Sequence, residues 1–271
     1  MIKKKIGIIG CGNMGEALFS RLADTLEKST DLMVSEMDPK RREDLQKKYK
    51  IIVQTDNSYL VKYSDVIVLA VKPKDFENLL KEEICCAISP DKMIISIAAG
   101  VTISHIEKIV GKDVPVIRVM PNMPAIIGRA VSSISAGTAA AEADMALAKE
   151  IFSTIGDVVE VEEKLVDAVT AVSGSGPAYF FYLVEALTEA AVEMGLGQEV
   201  AKKLVIKTAL GSSMLLEMSK DDAAALRARV TSKGGTTEAA LKVFKSKDLF
   251  GVIKEAVLAA KNRAMEISGG K

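Results

Sequence analysis

The sequence has little of the chemistry that metal or disulfide proteins need. Its 271 residues include no tryptophan, one histidine and three cysteines. Cys85 and Cys86 are adjacent, so the cysteines form neither a disulfide framework nor a metal-ligand spacing. We therefore predict no metal site and a reducing, cytoplasmic compartment. His105 lies in a segment of helical character and is interpreted as an ordinary helix-surface residue rather than a catalytic base.

The chain also lacks an excess of charge and a long apolar run. Thirty-six basic residues balance thirty-six acidic ones, which argues against a nucleic-acid partner. No apolar run approaches the roughly 18 residues of a membrane span. The opening MIKKKIGIIGCGNMG is interrupted by glycines, unlike a signal peptide. About half of the residues, 49%, are apolar, so a sizeable core can be buried.

The first part of the chain alternates between strand and helix patterns. The predicted strands are KKIGIIG, DLMVSEM, DVIVLAV, KMIISIA and VPVIRVM, of which DVIVLAV and KMIISIA are nearly continuous apolar runs, typical of strands covered on both faces. Helical segments separate several of them, which predicts an α/β fold with a doubly wound, mostly parallel sheet of the Rossmann type. From residue 164 onward only helices are predicted, near 176–194, 198–218, 235–244 and 248–267. The predicted domains are therefore 1–163 and 164–271.

A glycine-rich turn follows the first strand. Gly10-x-Gly12-x-x-Gly15 opens a helix, the context that a dinucleotide pyrophosphate requires. At the end of the second strand, Glu36 favours NAD by accepting from a ribose hydroxyl, whereas Lys40, Arg41 and Arg42 would favour the 2′-phosphate of NADP. The sequence leaves this choice open. The predicted cofactor-binding residues are Gly10, Cys11, Gly12, Asn13, Met14, Gly15, Ser35, Glu36, Asn57, Ala70, Val71, Lys72, Pro73, Ala98, Ala99 and Gly100.

Two further glycine-rich stretches interrupt the helical half. In LRARVTSKGGTTEAAL, unpaired N–H groups at a helix start and nearby hydroxyls suit a small anion such as a carboxylate. A capped helix start without a ligand explains the same residues equally well. In VSGSGPAYFFYLVEAL, Pro177 fits a first helical turn and Ser175 a cap; this stretch either fixes a turn or contacts substrate. The predicted substrate-binding residues are Ser232, Gly234, Gly235, Thr236 and Thr237.

These motifs together resemble the pyrroline-5-carboxylate reductase family along essentially the whole chain. GCGNMG, AVKP, AAGVTI, MPNMPA, DAVTAVSGSGPAYFF and LRARVTSKGGTTEAAL occur in the family's order. The resemblance implies reduction of 1-pyrroline-5-carboxylate to L-proline with NADPH or NADH. It also implies a helical dimerisation domain, a homodimer, and room for a larger assembly of dimers. By resemblance, the Gly-Gly-Thr-Thr loop holds the substrate carboxylate, and Thr237 is the catalytic residue whose hydroxyl meets the ring nitrogen.

The chain departs from the family pattern at several positions, and its residues leave two other functions open. Lys233 replaces a proline in the loop and Met123 replaces a threonine, which bears on substrate affinity. A related β-hydroxyacid dehydrogenase would depend on a lysine of the helical half. A non-catalytic nucleotide sensor would bind NAD(P) without turnover. The lysines that the first alternative would need are Lys202, Lys203 or Lys207.

Overall fold

The computed structural model describes residues 2–26, 31–110 and 113–269. The chain divides into two units, one containing the residues up to Ser175 together with those from Ala260 on, the other Gly176–Ala259. The C-terminal end of the chain thus belongs to the first unit. The boundary expected at residue 163 remains a prediction, although the first unit continues twelve residues beyond it.

An eight-stranded sheet organises the first unit, in the order β3-β2-β1-β4-β5-β6-β7-β8. Only the β6–β7 pair is antiparallel among these strands; the other neighbours are parallel. The prediction of a mostly parallel, Rossmann-type sheet is confirmed. The strands are β1 Ile6–Ile9, β2 Leu32–Ser35, β3 Val53–Gln54, β4 Val66–Leu69, β5 Met93–Ser96, β6 Val116–Met120, β7 Ala130–Ala136 and β8 Gly156–Glu160.

Helices cover both faces of this sheet. Neighbouring residues of one strand, such as Ile8 and Ile9, belong to two different buried clusters, because successive side chains of a strand point to opposite faces. This explains why the central strands are apolar at nearly every position. The helices are α1 Asn13–Leu22, α2 Pro39–Tyr49, α3 Asn57–Tyr63, α4 Pro73–Leu79, α5 Ile103–Val110, α6 Glu142–Ser153 and α7 Val166–Val169.

The second unit is helical, as predicted. Its helices are α8 Gly176–Glu193, α9 Gln198–Met218, α10 Ala223–Arg229, α11 Thr236–Ser246 and the first half of α12 Leu249–Gly269. The sequence did not predict the short α10. None of the helices in the described ranges combines the length with the apolar character that a membrane span requires.

The expectation that Ser175 caps α8 is wrong. Ser175 has helical angles, φ −82° and ψ −22°, and its N–H donates to the carbonyl oxygen of Thr170 at 2.8 Å. The chain therefore leaves α7 through one π-helical turn, Thr170–Gly174, which Ser175 closes. The Ser175 N–H is thus bonded within this wide turn, and Ser175 lacks the extended conformation of an N-cap residue.

The second unit buries few of its own apolar side chains. The structure describes every residue from Gly176 to Ala259. The buried residues in this range are only Gly176, Thr188, Ala191 and Ala201. Large apolar side chains that are at least half exposed include Phe180, Phe181, Tyr182, Leu183, Val200, Leu204, Leu210, Met214, Leu215, Phe250, Val252, Ile253 and Leu258. Such a unit lacks the core that normally stabilises a set of helices.

Candidate cofactor and substrate sites

The glycine-rich turn brings three parts of the chain into close contact. Gly10 has φ +87°, and a Cβ there would lie 2.9 Å from the carbonyl oxygen of Ala70. Its N–H donates to the carbonyl oxygen of Ser35 at 3.0 Å. A Cβ at Gly15 would collide with the carbonyl oxygen of Gly10. Side chains are therefore excluded at both positions, and the first helix packs directly on the turn.

Gly12 leaves an open approach to the start of α1. Among the residues that the structure describes, no atom lies within 4 Å of the place that a Cβ would occupy here. The first intrahelical bond runs from Glu16 to the carbonyl oxygen of Gly12 at 2.8 Å, so the N–H groups of Asn13, Met14 and Gly15 lie at the helix start. Open space in front of a helix N-terminus is what a pyrophosphate requires.

Glu36 is fixed in orientation at the carboxyl end of β2. One of its oxygens, Oε2, accepts from the N–H of Cys11 at 3.0 Å, and the other, Oε1, accepts from the N–H of Asp38 at 3.0 Å. Each oxygen keeps a second lone pair for a further donor. The carboxylate is therefore prepared to accept hydrogen bonds from two ribose hydroxyls.

Cys11 has a structural role in this turn. Its side chain is fully buried, and burial raises the pKa of its thiol to about 12. The thiol is thus uncharged at neutral pH and unreactive. Cys11 contributes its backbone N–H and carbonyl to the turn, not its sulfur.

A dense ion-pair cluster lies behind the turn, around Glu16 of α1. Glu16 Oε1 accepts from Lys48 Nζ and Tyr49 Oη, both at 2.8 Å, and Glu16 Oε2 pairs with Arg41 Nη2. Burial opposes the charged form of Glu16, but the hydrogen bonds from Lys48, Tyr49 and Arg41 outweigh it and lower the pKa of this carboxyl to about 2. Arg41 Nε also donates to the carbonyl oxygen of Cys11 at 3.0 Å.

A cavity of about 520 Å³ extends along the carboxyl edge of the sheet from the glycine turn. Its lining includes eight of the predicted cofactor residues: Gly10, Gly12, Ser35, Glu36, Asn57, Ala70, Val71 and Lys72. Met37 and Asp38 also line it, at the strand end where the sequence predicts the ribose. Sequence reasoning missed Ile9, Lys74 and Asp75, which line the cavity beside the ends of β1 and β4.

Ser35 and Asn57 form part of the cavity wall through a buried hydrogen-bonded chain. Ser35 Oγ donates to Asn57 Oδ1 at 2.5 Å, and Asn57 Nδ2 donates to Glu83 Oε2 at 3.0 Å. Their polar groups therefore bind each other and link β2, α3 and the π-helical turn Leu80–Ile84 that follows α4. This network fixes the shape of the wall at the end of β2.

The remaining predicted cofactor residues do not line this cavity, and their role stays a prediction. Ala98 is buried, Ala99 is exposed, and Pro73 is the first residue of α4. Gly100 has a packing reason to be glycine: its φ is +74°, and a Cβ there would collide with the Ile267 side chain of α12. The others outside the cavity lining are Cys11, Asn13, Met14 and Gly15.

In the second unit, the predicted substrate loop forms the start of α11. Gly235 is the N-cap residue, in an extended conformation and without a side-chain cap, and Gly234 has φ +75°. The first intrahelical bond is from Ala239 to the carbonyl oxygen of Gly235 at 3.2 Å. The N–H groups of Thr236, Thr237 and Glu238 thus lie at the helix start, as expected.

The two glycine N–H groups are used within the loop. Gly235 donates to the carbonyl oxygen of Ser232 at 3.0 Å, and Gly234 donates to Glu238 Oε2 at 2.8 Å. An anion would therefore meet the N–H groups of Thr236 and Thr237 rather than those of the glycines. Glu238 was missed by sequence reasoning, although a glutamate three residues after the N-cap is the spacing of a capping box.

The fold and the first site define a dinucleotide-binding protein of the Rossmann class. Residues 5–100 match the family model "NADP oxidoreductase coenzyme F420-dependent", and residues 163–267 match "Pyrroline-5-carboxylate reductase dimerisation". A pyrroline-5-carboxylate reductase of Synechocystis sp. is 40% identical over 97% of this chain and 98% of its own length. The chain belongs to the pyrroline-5-carboxylate reductase family.

Solved structures agree with this assignment. Pyrroline carboxylate reductase of Plasmodium falciparum with NADP bound has a TM-score of 0.89 at 30% identity, covering 99% of both chains. Pyrroline-5-carboxylate reductase of Coxiella burnetii has a TM-score of 0.90 at 33% identity, covering 98% of this chain and 99% of that one. The family and the fold class predicted from the sequence motifs are confirmed.

Proposed function

We propose that the protein reduces 1-pyrroline-5-carboxylate to L-proline with NADPH or NADH. The observation that carries the proposal is the open helix start at Thr236 and Thr237 in a chain that also has an intact dinucleotide turn. The relatives named for this activity match nearly the whole chain, and one related structure holds NADP. These two sites are what the reaction needs: one for the cofactor and one for a small carboxylate.

The cofactor residues act by binding and orientation. The N–H groups at the start of α1 hold the pyrophosphate, and Glu36 holds the adenosine ribose. Bound NADPH or NADH supplies the hydride. The residues of the cavity exclude water from one side of the dinucleotide and fix its position along the sheet edge.

The α11 start binds the substrate carboxylate, and Thr237 acts at its ring nitrogen. The backbone N–H groups of Thr236 and Thr237 carry the positive end of the helix dipole, which favours an anion. The imine nitrogen of the substrate is protonated before hydride arrives and loses its charge as the C–H bond forms. A neutral hydroxyl is therefore sufficient as a hydrogen-bonding partner, and no strong acid is required. The only histidine, His105, lies on α5 and has no part in this scheme.

The test follows the absorbance of NAD(P)H: its consumption with pyrroline-5-carboxylate and, in parallel, its formation from NAD(P)⁺ with a 3-hydroxyacid. The proposal expects turnover of the imine only. Turnover of the hydroxyacid alone would support the dehydrogenase alternative. Tight binding of NADPH without turnover of either substrate would instead support the sensor alternative. The dehydrogenase alternative would need a lysine of α9. The candidates are all exposed: Lys202, Lys203 and Lys207.

We also propose that the second unit forms a homodimer. The supporting observation is its exposed apolar surface: Phe181 and Tyr182 of α8 are 60% and 74% exposed. Obligate interfaces resemble a core cut in half, and the match to a dimerisation model over residues 163–267 points the same way. Light scattering should give twice the chain mass at micromolar concentration; a stable monomer would contradict the proposal. A larger assembly of such dimers and the cytoplasmic location stay predictions.

A further inference from the structure

Two of the three basic residues that follow β2, Arg41 and Arg42, are held by the protein itself. Arg42 Nη1 donates to the carbonyl oxygens of Glu36 and Met37 at 3.0 and 3.4 Å. Arg41 is held by the carbonyl oxygen of Cys11 and by the carboxylate of Glu16. Both guanidinium groups are thus engaged by the protein itself. A count of positive charges in the sequence overstates what a 2′-phosphate would meet.

The lining of the cavity agrees with this arrangement. At the end of β2 the cavity is lined by the acidic residues Glu36 and Asp38. Arg41 is not among the described residues that line it. The lysines of the lining, Lys72 and Lys74, come from the segment after β4. The ribose end of the cavity therefore suits hydroxyl donors better than an anion.

Glu16 is the group that fixes Arg41. Its side chain is 16% exposed and pairs through both oxygens, whereas Arg41 is 31% exposed. Arg41 and Glu36 also contact the same residue, since the carbonyl of Cys11 accepts from Arg41 and its N–H donates to Glu36. Only one residue's backbone separates the guanidinium from the ribose-binding carboxylate, so a small reorientation of Arg41 would bring it to a 2′-phosphate.

We propose that Glu16 is a positioning residue for cofactor choice, because it ties Arg41 to α1 and leaves the 2′-phosphate of NADP(H) facing Glu36 without a guanidinium to neutralise it. The inference rests on the proposed dinucleotide site. A phosphate monoester carries between one and two negative charges at neutral pH. Releasing Arg41 would supply the forked, charge-assisted hydrogen bonds that phosphates favour.

The experiment measures binding and does not depend on turnover. Isothermal titration calorimetry compares 2′,5′-ADP with 5′-ADP, which differ only in the 2′-phosphate. In Glu16→Gln, the Kd of 2′,5′-ADP should fall about tenfold, the gain of one charge-assisted hydrogen bond, while the Kd of 5′-ADP changes by less than about twofold. Glu43→Gln, which breaks the exposed pair with Lys47 on α2, is the matched control and should change neither Kd.

A double variant separates release of Arg41 from a general effect of charge. Glu16→Gln with Arg41→Ala should lose the gain entirely. If the gain survives without Arg41, or if Glu16→Gln changes the Kd of both nucleotides equally, the inference is wrong. Failure of both nucleotides to bind the unmodified protein would overturn the dinucleotide site itself, whereas reductase failure with normal binding would overturn only the proposed reaction.

Arg41→Ala alone provides a second test if Glu16→Gln does not fold by circular dichroism. Because Arg41 is tied back in the unmodified protein, its loss should change the Kd of 2′,5′-ADP by less than about twofold. A loss of about tenfold would show that Arg41 already serves the 2′-phosphate, and would contradict the role given to Glu16.

Discussion

Thr237→Ala should impair the reaction without weakening the fold. Thr237 is the second residue of α11, it is half-buried, and the cap of this helix is Gly235, with no side-chain hydrogen bond. The Thr237 hydroxyl is therefore not the cap, and alanine is a better helix former than threonine. Any loss of activity would reflect the missing hydroxyl at the substrate nitrogen rather than an unfolded loop.

The expected loss follows from one hydrogen bond. A hydrogen bond to a neutral partner contributes about 0.5–1.5 kcal/mol and one to a charged partner about 1.5–3 kcal/mol. Since the nitrogen changes from charged to neutral during the reaction, kcat/KM should fall by on the order of tenfold to a hundredfold. Thr237→Ser, which keeps the hydroxyl, should retain most of the activity.

The assay is cofactor oxidation with pyrroline-5-carboxylate, together with thermal unfolding and the Kd of NADPH for each variant. Tm and Kd should hardly change. Thr154→Ala is the matched control, because the Thr154 hydroxyl donates to the carbonyl oxygen of Ile151 at the end of α6, in the first unit. His105→Ala should likewise be nearly silent. A harmless Thr237→Ala beside a damaging His105→Ala would refute the mechanism.

Three further outcomes are expected. Both NADPH and NADH should support turnover, and Glu36→Ala should raise the apparent affinity for NADPH relative to NADH; an unchanged ratio would show that Glu36 does not face the ribose. The pKa of Glu16 lies at about 2, below its ordinary 4.5, so its ion pairs stabilise the fold above pH 4.5 and lose that effect as the pH falls through 2. Urea unfolding of Glu16→Gln should thus show a deficit of at most ~3 kcal/mol at pH 7, which shrinks toward pH 2; a deficit independent of pH would contradict this. Maleimide at pH 7 should label the exposed Cys86 and leave Cys11 unmodified in the folded protein, as peptide mass mapping would show, whereas rapid labelling of Cys11 would contradict its burial.

The sequence predicted those strands whose burial is visible in their composition. β1, β4 and β5 are apolar at nearly every position, which is the pattern of a sheet covered on both faces. β7 is also largely buried, but its sequence AVSSISA contains three buried serines, and serine does not indicate burial in a sequence. β3 has only two residues, too few for any periodicity. The antiparallel β6–β7 pairing depends on a connection whose direction composition does not encode.

The candidate sites were predictable to the extent that backbone chemistry defines them. A side chain or an ordinary φ would not fit at Gly10, at Gly15 or at the Gly234–Gly235 pair, and the sequence shows these glycines directly. The partner of Arg41 is 25 residues away on another helix. A run of basic residues gives no sign of which cation is already paired, so the sequence left the cofactor choice open.

The central claim is that the chain transfers hydride to a cyclic imine. The most direct test is oxidation of NADPH and, in parallel, of NADH on addition of pyrroline-5-carboxylate to folded protein, with L-proline quantified by mass spectrometry. We predict oxidation with both cofactors and one proline formed for each cofactor consumed. No oxidation with either cofactor, from protein shown to be folded and to bind NADPH, would contradict the account.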